Sequence, residues 1–237
     1  MNLFILAIIT STVVSNACVQ LKDPTEDVKE NTNRLQTALD SYSCVNVTSG
    51  DWTTSGIKIS SNKRLVLNPN TRILAVINIT QTAVVHVDNA EHVTIEGGGT
   101  IYGNAEHAWS YFSEKDDRFS PYGDDGSTGR PNVLLITRSR DIVLRDLHLH
   151  NSTDWTLRME QSRDIFAEKL DIYGDSRFPN NDGFDPVSCE NVTLINSRIE
   201  VADDGICPVC YSHFIYECHV SHSIHVTHTH FYMSLLN

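Results

Sequence analysis

The feature that most constrains this chain is a repeat. Four segments share one pattern: AEHVTIEGGGTIYG at 90–103, SRDIVLRDLHLHNS at 139–152, SRDIFAEKLDIYGD at 162–175 and CENVTLINSRIEVA at 189–202. Each opens on a short polar turn carrying Asp, Asn or His. A strand-like run with alternating apolar residues follows, and then a second apolar pair or single. SNKRLVLNPNTRILA at 61–75 fits more loosely. The aligned apolar positions are Leu65, Val93, Ile142, Ile165 and Val192, and the last three are 23 and 27 residues apart. Val93 to Ile142 is 49 residues, room for two turns, with NVLLIT at 132–137 supplying strand character between them.

A unit of this size cannot bury its apolar face alone, but stacked units bury a continuous column. The runs are short, β-branched and alternating, which favours strands over helical repeats. The expected fold is all-β: a right-handed single-stranded parallel β-helix, with Val93, Ile95, Ile142, Leu144, Ile165, Val192 and Leu194 pointing inward. A β-sandwich is the competing fold, but it does not call for near-identical turns at coil-length spacing. The formal net charge of −12 excludes a general nucleic-acid binder, which needs basic surface.

The N-terminal stretch LFILAIITSTVV, followed by Ser15-Asn16-Ala17, has the form of a secretory signal peptide cut after Ala17. It is too short to span a membrane. The expected division is a signal peptide at 1–17, a β-helix domain at 18–207 and a His/Cys-rich tail at 208–237. Four N-x-[ST] triplets, at Asn46, Asn78, Asn151 and Asn191, are glycosylation candidates, although Asn191 lies inside a repeat and has a structural alternative. In an oxidising compartment some of the six cysteines pair. Cys18 with Cys44 is the expected pair, because both precede the repeats and would tie down an N-terminal cap.

The chemistry sits in Asn180-Asn181-Asp182-Gly183-Phe184-Asp185-Pro186 and, one coil later, Ala202-Asp203-Asp204-Gly205. Adjacent coils stack about 4.8 Å apart. A one-coil separation therefore brings Asp182 beside Asp203 and Asp204. Crowded carboxylates raise at least one pKa, so one carboxyl stays protonated near neutral pH while another is ionised. Glycoside hydrolysis needs that division of labour. For a lone Asp-Asp, a turn or a calcium ligand set is the alternative reading.

The segment NNDGFDPVSCENVTLINSRIEVADDGI resembles the signature of the polygalacturonase family, glycoside hydrolase family 28. IEGGGTIYG (95–103), GRPNVLLI (129–136) with Arg130-Pro131, and LHLHNSTDWTL (147–157) with Trp155 resemble it more loosely. The resemblance implies a secreted right-handed β-helix that hydrolyses α-1,4-galacturonosidic bonds in pectic chains with inversion. It implies Asp203 as general acid, Asp182 and Asp204 as the carboxylates that position and activate water, and Asn180 as a substrate contact. Asp185 is expected to be structural, and Asn181 replaces the usual Thr. No cofactor or metal is expected, the partner is a pectic polysaccharide, galacturonan or rhamnogalacturonan, and the chain is expected to act as a monomer without nucleic acid or membrane. In the long insertion at 104–131, Trp109, Tyr111 and Tyr122 either stack on sugar rings or cover the side of the helix.

After Ile206 the resemblance stops. The family's Gly-His-Gly and Arg-x-Lys motifs are not in these residues, and six of the eleven histidines fall between His213 and His230. An artefact of translation, a shortened isoform and a metal site around Cys207-x-x-Cys210, Cys218 and the histidines remain open. The chain by itself is expected to be unstable or inactive. A non-catalytic polysaccharide-binding β-helix or dead paralogue is the alternative function. A polysaccharide lyase is a third, for which no Arg or Lys is evident beside the carboxylates.

Overall fold

The computed structural model describes residues 17–76, 81–108, 130–178 and 180–209, together with the backbone of a strand at 220–226. Residues 1–16 of the expected signal peptide, Asn78, the aromatics Trp109, Tyr111 and Tyr122, and Cys210 and Cys218 lie outside the described residues.

The elements in chain order are β1 (Val19–Leu21), α1 (Val28–Ser41), β2 (Cys44–Val47), β3 (Gly50–Thr54), β4 (Ile57–Ile59), β5 (Lys63–Leu67), β6 (Thr71–Ala75), β7 (Ala83–Asp88), β8 (Glu91–Glu96), β9 (Thr100–Tyr102), β10 (Asn132–Thr137), β11 (Arg140–His150), β12 (Leu157–Glu160), β13 (Arg163–Tyr173), β14 (Phe184–Val187), β15 (Glu190–Glu200) and β16 (Val220–Val226). One sheet runs β1-β2-β5-β8-β11-β13-β15-β16, with β3, β6 and β9 extending it sideways; the other runs β14-β12-β10-β7-β4. The ladders are parallel, and the chain climbs from one coil to the next as a right-handed parallel β-helix.

The alternation in the repeats is what fills the interior. Val93, Ile95, Ile142, Leu144, Ile165, Val192 and Leu194 are all buried in one continuous column. Ile142 pairs with Ile165, and Ile165 with Val192. Two details differ from the sequence alignment. Leu65 is in register with Ile95, not Val93. Val93 pairs directly with Ile142, so the 49 residues between them make one coil plus an insertion rather than two turns. NVLLIT forms β10, which belongs to the second sheet and pairs with β7 and β12.

The polar residues that open each repeat make the corners. His92, Asp141, Asp164 and Asn191 stack in successive coils with φ of 57°, 54°, 53° and 53°. Asp146, Lys169 and Asn196 form a second left-handed ladder at φ 51–53°. Asn and Asp tolerate this region better than most residues, which accounts for their recurrence. The second ladder bends β11, β13 and β15 in mid-strand and separates their two apolar pairs. Asn191 donates from Nδ2 to Asp164 Oδ1 at 2.7 Å, so this sequon residue also serves the corner ladder.

At the N-terminal end α1 starts on Asp27, whose side chain accepts from the Glu30 N–H at 3.0 Å. Its Leu35, Ala38 and Leu39 are buried against the first coils. The expected Cys18–Cys44 disulfide is present and ties β1 to β2. At the other end the sheet continues past the point where the repeat fades, since β16 pairs in parallel with β15 across a register shift at Ile195/Ser197.

Candidate active site

The turn leading from β13 into β14 and the turn following β15 lie in adjacent layers, held by backbone bonds. Thr156 N–H donates to Asp182 O at 2.7 Å, Gly183 N–H to Asp204 O at 2.8 Å and Phe184 N–H to Gly205 O at 3.1 Å. Layer follows layer so closely at Gly183 that a Cβ there would lie 2.5 Å from Gly205 O and 2.7 Å from Ile199 Cγ2. The glycine is therefore a packing requirement. Asn181, fully buried, clamps the two turns: its Oδ1 accepts from the N–H groups of Ala202 (2.8 Å) and Asp203 (3.3 Å), and its Nδ2 donates to Asp175 O (3.1 Å). The amide does this with two separate atoms, its oxygen accepting and its nitrogen donating.

Asp182, Asp203 and Asp204 are thereby brought to one corner. Asp203 Oδ2 accepts from the Asn180 N–H at 3.3 Å and its Oδ1 from the Asp204 N–H at 3.1 Å. Asp182 is buried, whereas Asp203 and Asp204 are half-buried. Burial, reinforced by the negative charges of Asp203 and Asp204, pushes the Asp182 carboxyl up to about 7. Its Oδ1 is buried without a hydrogen-bond partner. Asp185, at 0% exposure with both carboxylate oxygens unpartnered, is pushed well above the carboxylate range, chiefly by burial and then by Asp182.

Sequence reasoning did not place three further residues here. Arg130, whose side chain is 7% exposed, lies 3.9 Å from Asp154 Oδ1 and donates to Asn180 Oδ1 at 3.5 Å and to Thr153 O at 2.6 Å. Asn132 Nδ2 donates to Asp154 Oδ2 at 3.1 Å. Burial raises the Asp154 carboxyl and lowers the Arg130 guanidinium, the latter opposed by Asp154 and Asp182. A cation does stand beside the carboxylates. It is supplied two coils back by Arg130-Pro131, a segment whose family likeness was visible but whose position in the stack was not. The spacing Asp154, Asp182, Asp204, at 28 and 22 residues, is the signal that could have found Asp154.

Asp182, Asp204 and Cys207 present potential ligand atoms within 4.8 Å of one another. Burial and the neighbouring carboxylates push the Cys207 thiol up to about 12. A groove of about 770 Å³, lined by Asn89, Arg138, Arg140, Gln161, Arg163 and Glu190 among others, runs along a different corner and includes none of these carboxylates.

The model of glycosyl hydrolases family 28 matches residues 32–232. The chain belongs to this family. The match runs through the described β16 strand. A probable polygalacturonase of Vitis vinifera is 27% identical over 182 residues, covering 68% of this chain and 35% of the relative. A polygalacturonase of Persea americana is 26% identical over 52% of this chain and 25% of the relative. The chain thus spans about a third or less of the length of these family 28 relatives. Among solved structures, the polygalacturonase of Erwinia carotovora ssp. carotovora superposes with a TM-score of 0.67 at 20% identity, over 83% of this chain and 58% of that one. An exopolygalacturonase of Thermotoga maritima gives 0.61 at 17% identity, over 80% and 54%. Both likenesses concern the fold.

Proposed function

We propose that this family 28 chain carries the acid/base site of a hydrolase that cleaves α-1,4-galacturonosidic bonds in pectic polysaccharide by single displacement with inversion. The observation that carries the reading is the stacking of Asp182 against Asp203-Asp204 with a carboxyl that holds its proton to about pH 7. Family membership supports Asp203 as the proton donor to the leaving oxygen, and Asp182 and Asp204 as the pair that positions and activates water. The chemistry needs one carboxyl protonated while another is ionised. Activity should then rise as pH climbs toward about 7, where Asp182 ionises and can activate water. The bonds of Asn180 to Asp203, by its N–H, and to Arg130, by its side chain, support its reading as a substrate contact. The Cys18–Cys44 disulfide supports a secreted protein. Among the described residues no helix is long and apolar enough to cross a membrane.

The test is secretion of the chain from a eukaryotic host and measurement of reducing ends released from polygalacturonate. Turnover that falls about 1,000-fold in Asp203→Asn establishes the hydrolase and overturns the expectation that the chain alone is inactive. Retention on polygalacturonate without turnover establishes the alternative, a non-catalytic binder.

A further inference from the structure

His148 and His150 lie two residues apart on β11, so their side chains leave the same face of the sheet. Asp171 on β13 is in register with His148, and Tyr173 with His150. The Asp171 carboxylate sits between the two rings: its Oδ2 is 3.1 Å from His148 Nδ1 and 3.0 Å from His150 Nε2. On the far side Arg198 of β15, in register with Asp171, donates to Oδ1 at 3.1 Å and is itself paired with Glu200. The guanidinium thus turns Oδ2 toward the imidazoles. The side chains of His148, His150 and Asp171 are 43%, 25% and 28% exposed, so solvent reaches the cluster. All the ligand atoms lie within 4.8 Å of one another.

These are the dimensions of a metal site. A tetrahedral zinc ion with bonds of about 2.0–2.1 Å holds its ligand atoms about 3.3 Å apart. The two nitrogen–oxygen distances need to open by only a few tenths of an ångström. We propose that His148 Nδ1, His150 Nε2 and Asp171 Oδ2 form a binding site for a divalent transition metal of the zinc type, with a fourth position open to water. Two imidazoles and one carboxylate select zinc, cobalt, nickel or copper over calcium and magnesium. Arg198 is the positioning residue, holding the carboxylate from behind as outer-shell partners do in metal sites. The bound ion ties β11 to β13 across the face of the sheet, just before the chain turns at 151–154 toward the carboxylate corner. The site does not depend on the hydrolase reading.

The test uses the full chain, stripped with EDTA, at pH 7.5. Zinc titrated against a chromophoric chelator should show one equivalent that is lost in His148→Asn/His150→Asn and in Asp171→Asn, each checked for native circular dichroism. That equivalent should bind about tenfold more weakly in Arg198→Met. Cobalt at this site should give the visible bands of a four-coordinate ion with no sulfur charge-transfer band, which separates it from the Cys207 cluster and the cysteines of the tail. Zinc should also shield His148 and His150 of the unaltered chain from diethyl pyrocarbonate, read by peptide mass mapping, a measurement that needs no variant to fold. Calcium should shield neither. Equal zinc stoichiometry and affinity in the double variant, or full modification of both histidines under excess zinc, would overturn the proposal and leave a purely hydrogen-bonded network.

Discussion

Two acidic clusters on this solenoid are built by the same stacking and end in opposite charge states. On the open face, Asp171 is half-exposed and ringed by His148, His150 and Arg198, and those hydrogen bonds, His150 first, hold its carboxyl well below the usual range. At the corner, Asp182 and Asp185 are buried, three of their four carboxylate oxygens lack a partner, and both are pushed upward. Coil stacking decides which side chains meet. Burial and donor supply decide which of them keeps its proton.

That contrast can be broken most forcefully at Arg130. Replacing it with Met removes the buried cation beside Asp154 and leaves that carboxyl to Asn132 and the charge of Arg158, so Arg130→Met should lose about 3 kcal/mol of stability at pH 7 in urea unfolding. A smaller change would show that the corner carboxyls already share protons and need little compensation.

A pH series sharpens the comparison. Asp182 and Asp185 bind protons more tightly folded than unfolded, so their contribution to stability is full below the ordinary carboxylate pKa and declines as pH rises toward their folded values. The free energy of unfolding, read in urea, should fall between pH 5 and pH 8, with a slope of at most about 1.4 kcal/mol per pH unit for each group. Asp185→Asn, which cannot ionise, should flatten that slope. An unchanged slope would place the proton elsewhere.

The smallest effect belongs to the open face. Asp171 binds its proton more weakly folded than unfolded, so its contribution is present above the ordinary carboxylate range and is lost as pH falls through its lowered value. Asp171→Asn should cost about 1 kcal/mol at pH 7, since solvent screens the pair. The gap from the unaltered chain should narrow in strong acid, as seen in denaturant unfolding at pH 7 and pH 2.

The stacking was legible in the sequence because it is periodic. The alternation that buries Ile142, Ile165 and Val192 and the coil-length offset of Asp182 from Asp203 both survive as pattern. What stayed hidden is whatever breaks the period. The insertion at 104–131 concealed that Val93 sits directly against Ile142, and with it the coil to which Arg130 and Asp154 belong. The depth of Asp185 was invisible for a related reason: β14 is buried at all four positions, so alternation carries no signal there. The pairing of His148 and His150 with Asp171 needed only the register of β11 and β13; the family likeness of LHLHNSTDWTL spans both histidines but says nothing of their partner.

The left-handed corners of the coils have one more consequence. They count residues. From Asp164 to Asn191 the perimeter of a coil is fixed at two points, so a residue added between a corner and the carboxylates would turn Asp203 and Asp204 out of alignment with Asp182 without unfolding anything. Length variation is tolerable where it falls between one strand and the next, as the residues at 104–131 do in sequence, and ruinous where it shifts the phase of the winding. A lineage of such chains can therefore restyle the approach to its site freely, while the tally of residues around the acidic corner stays locked.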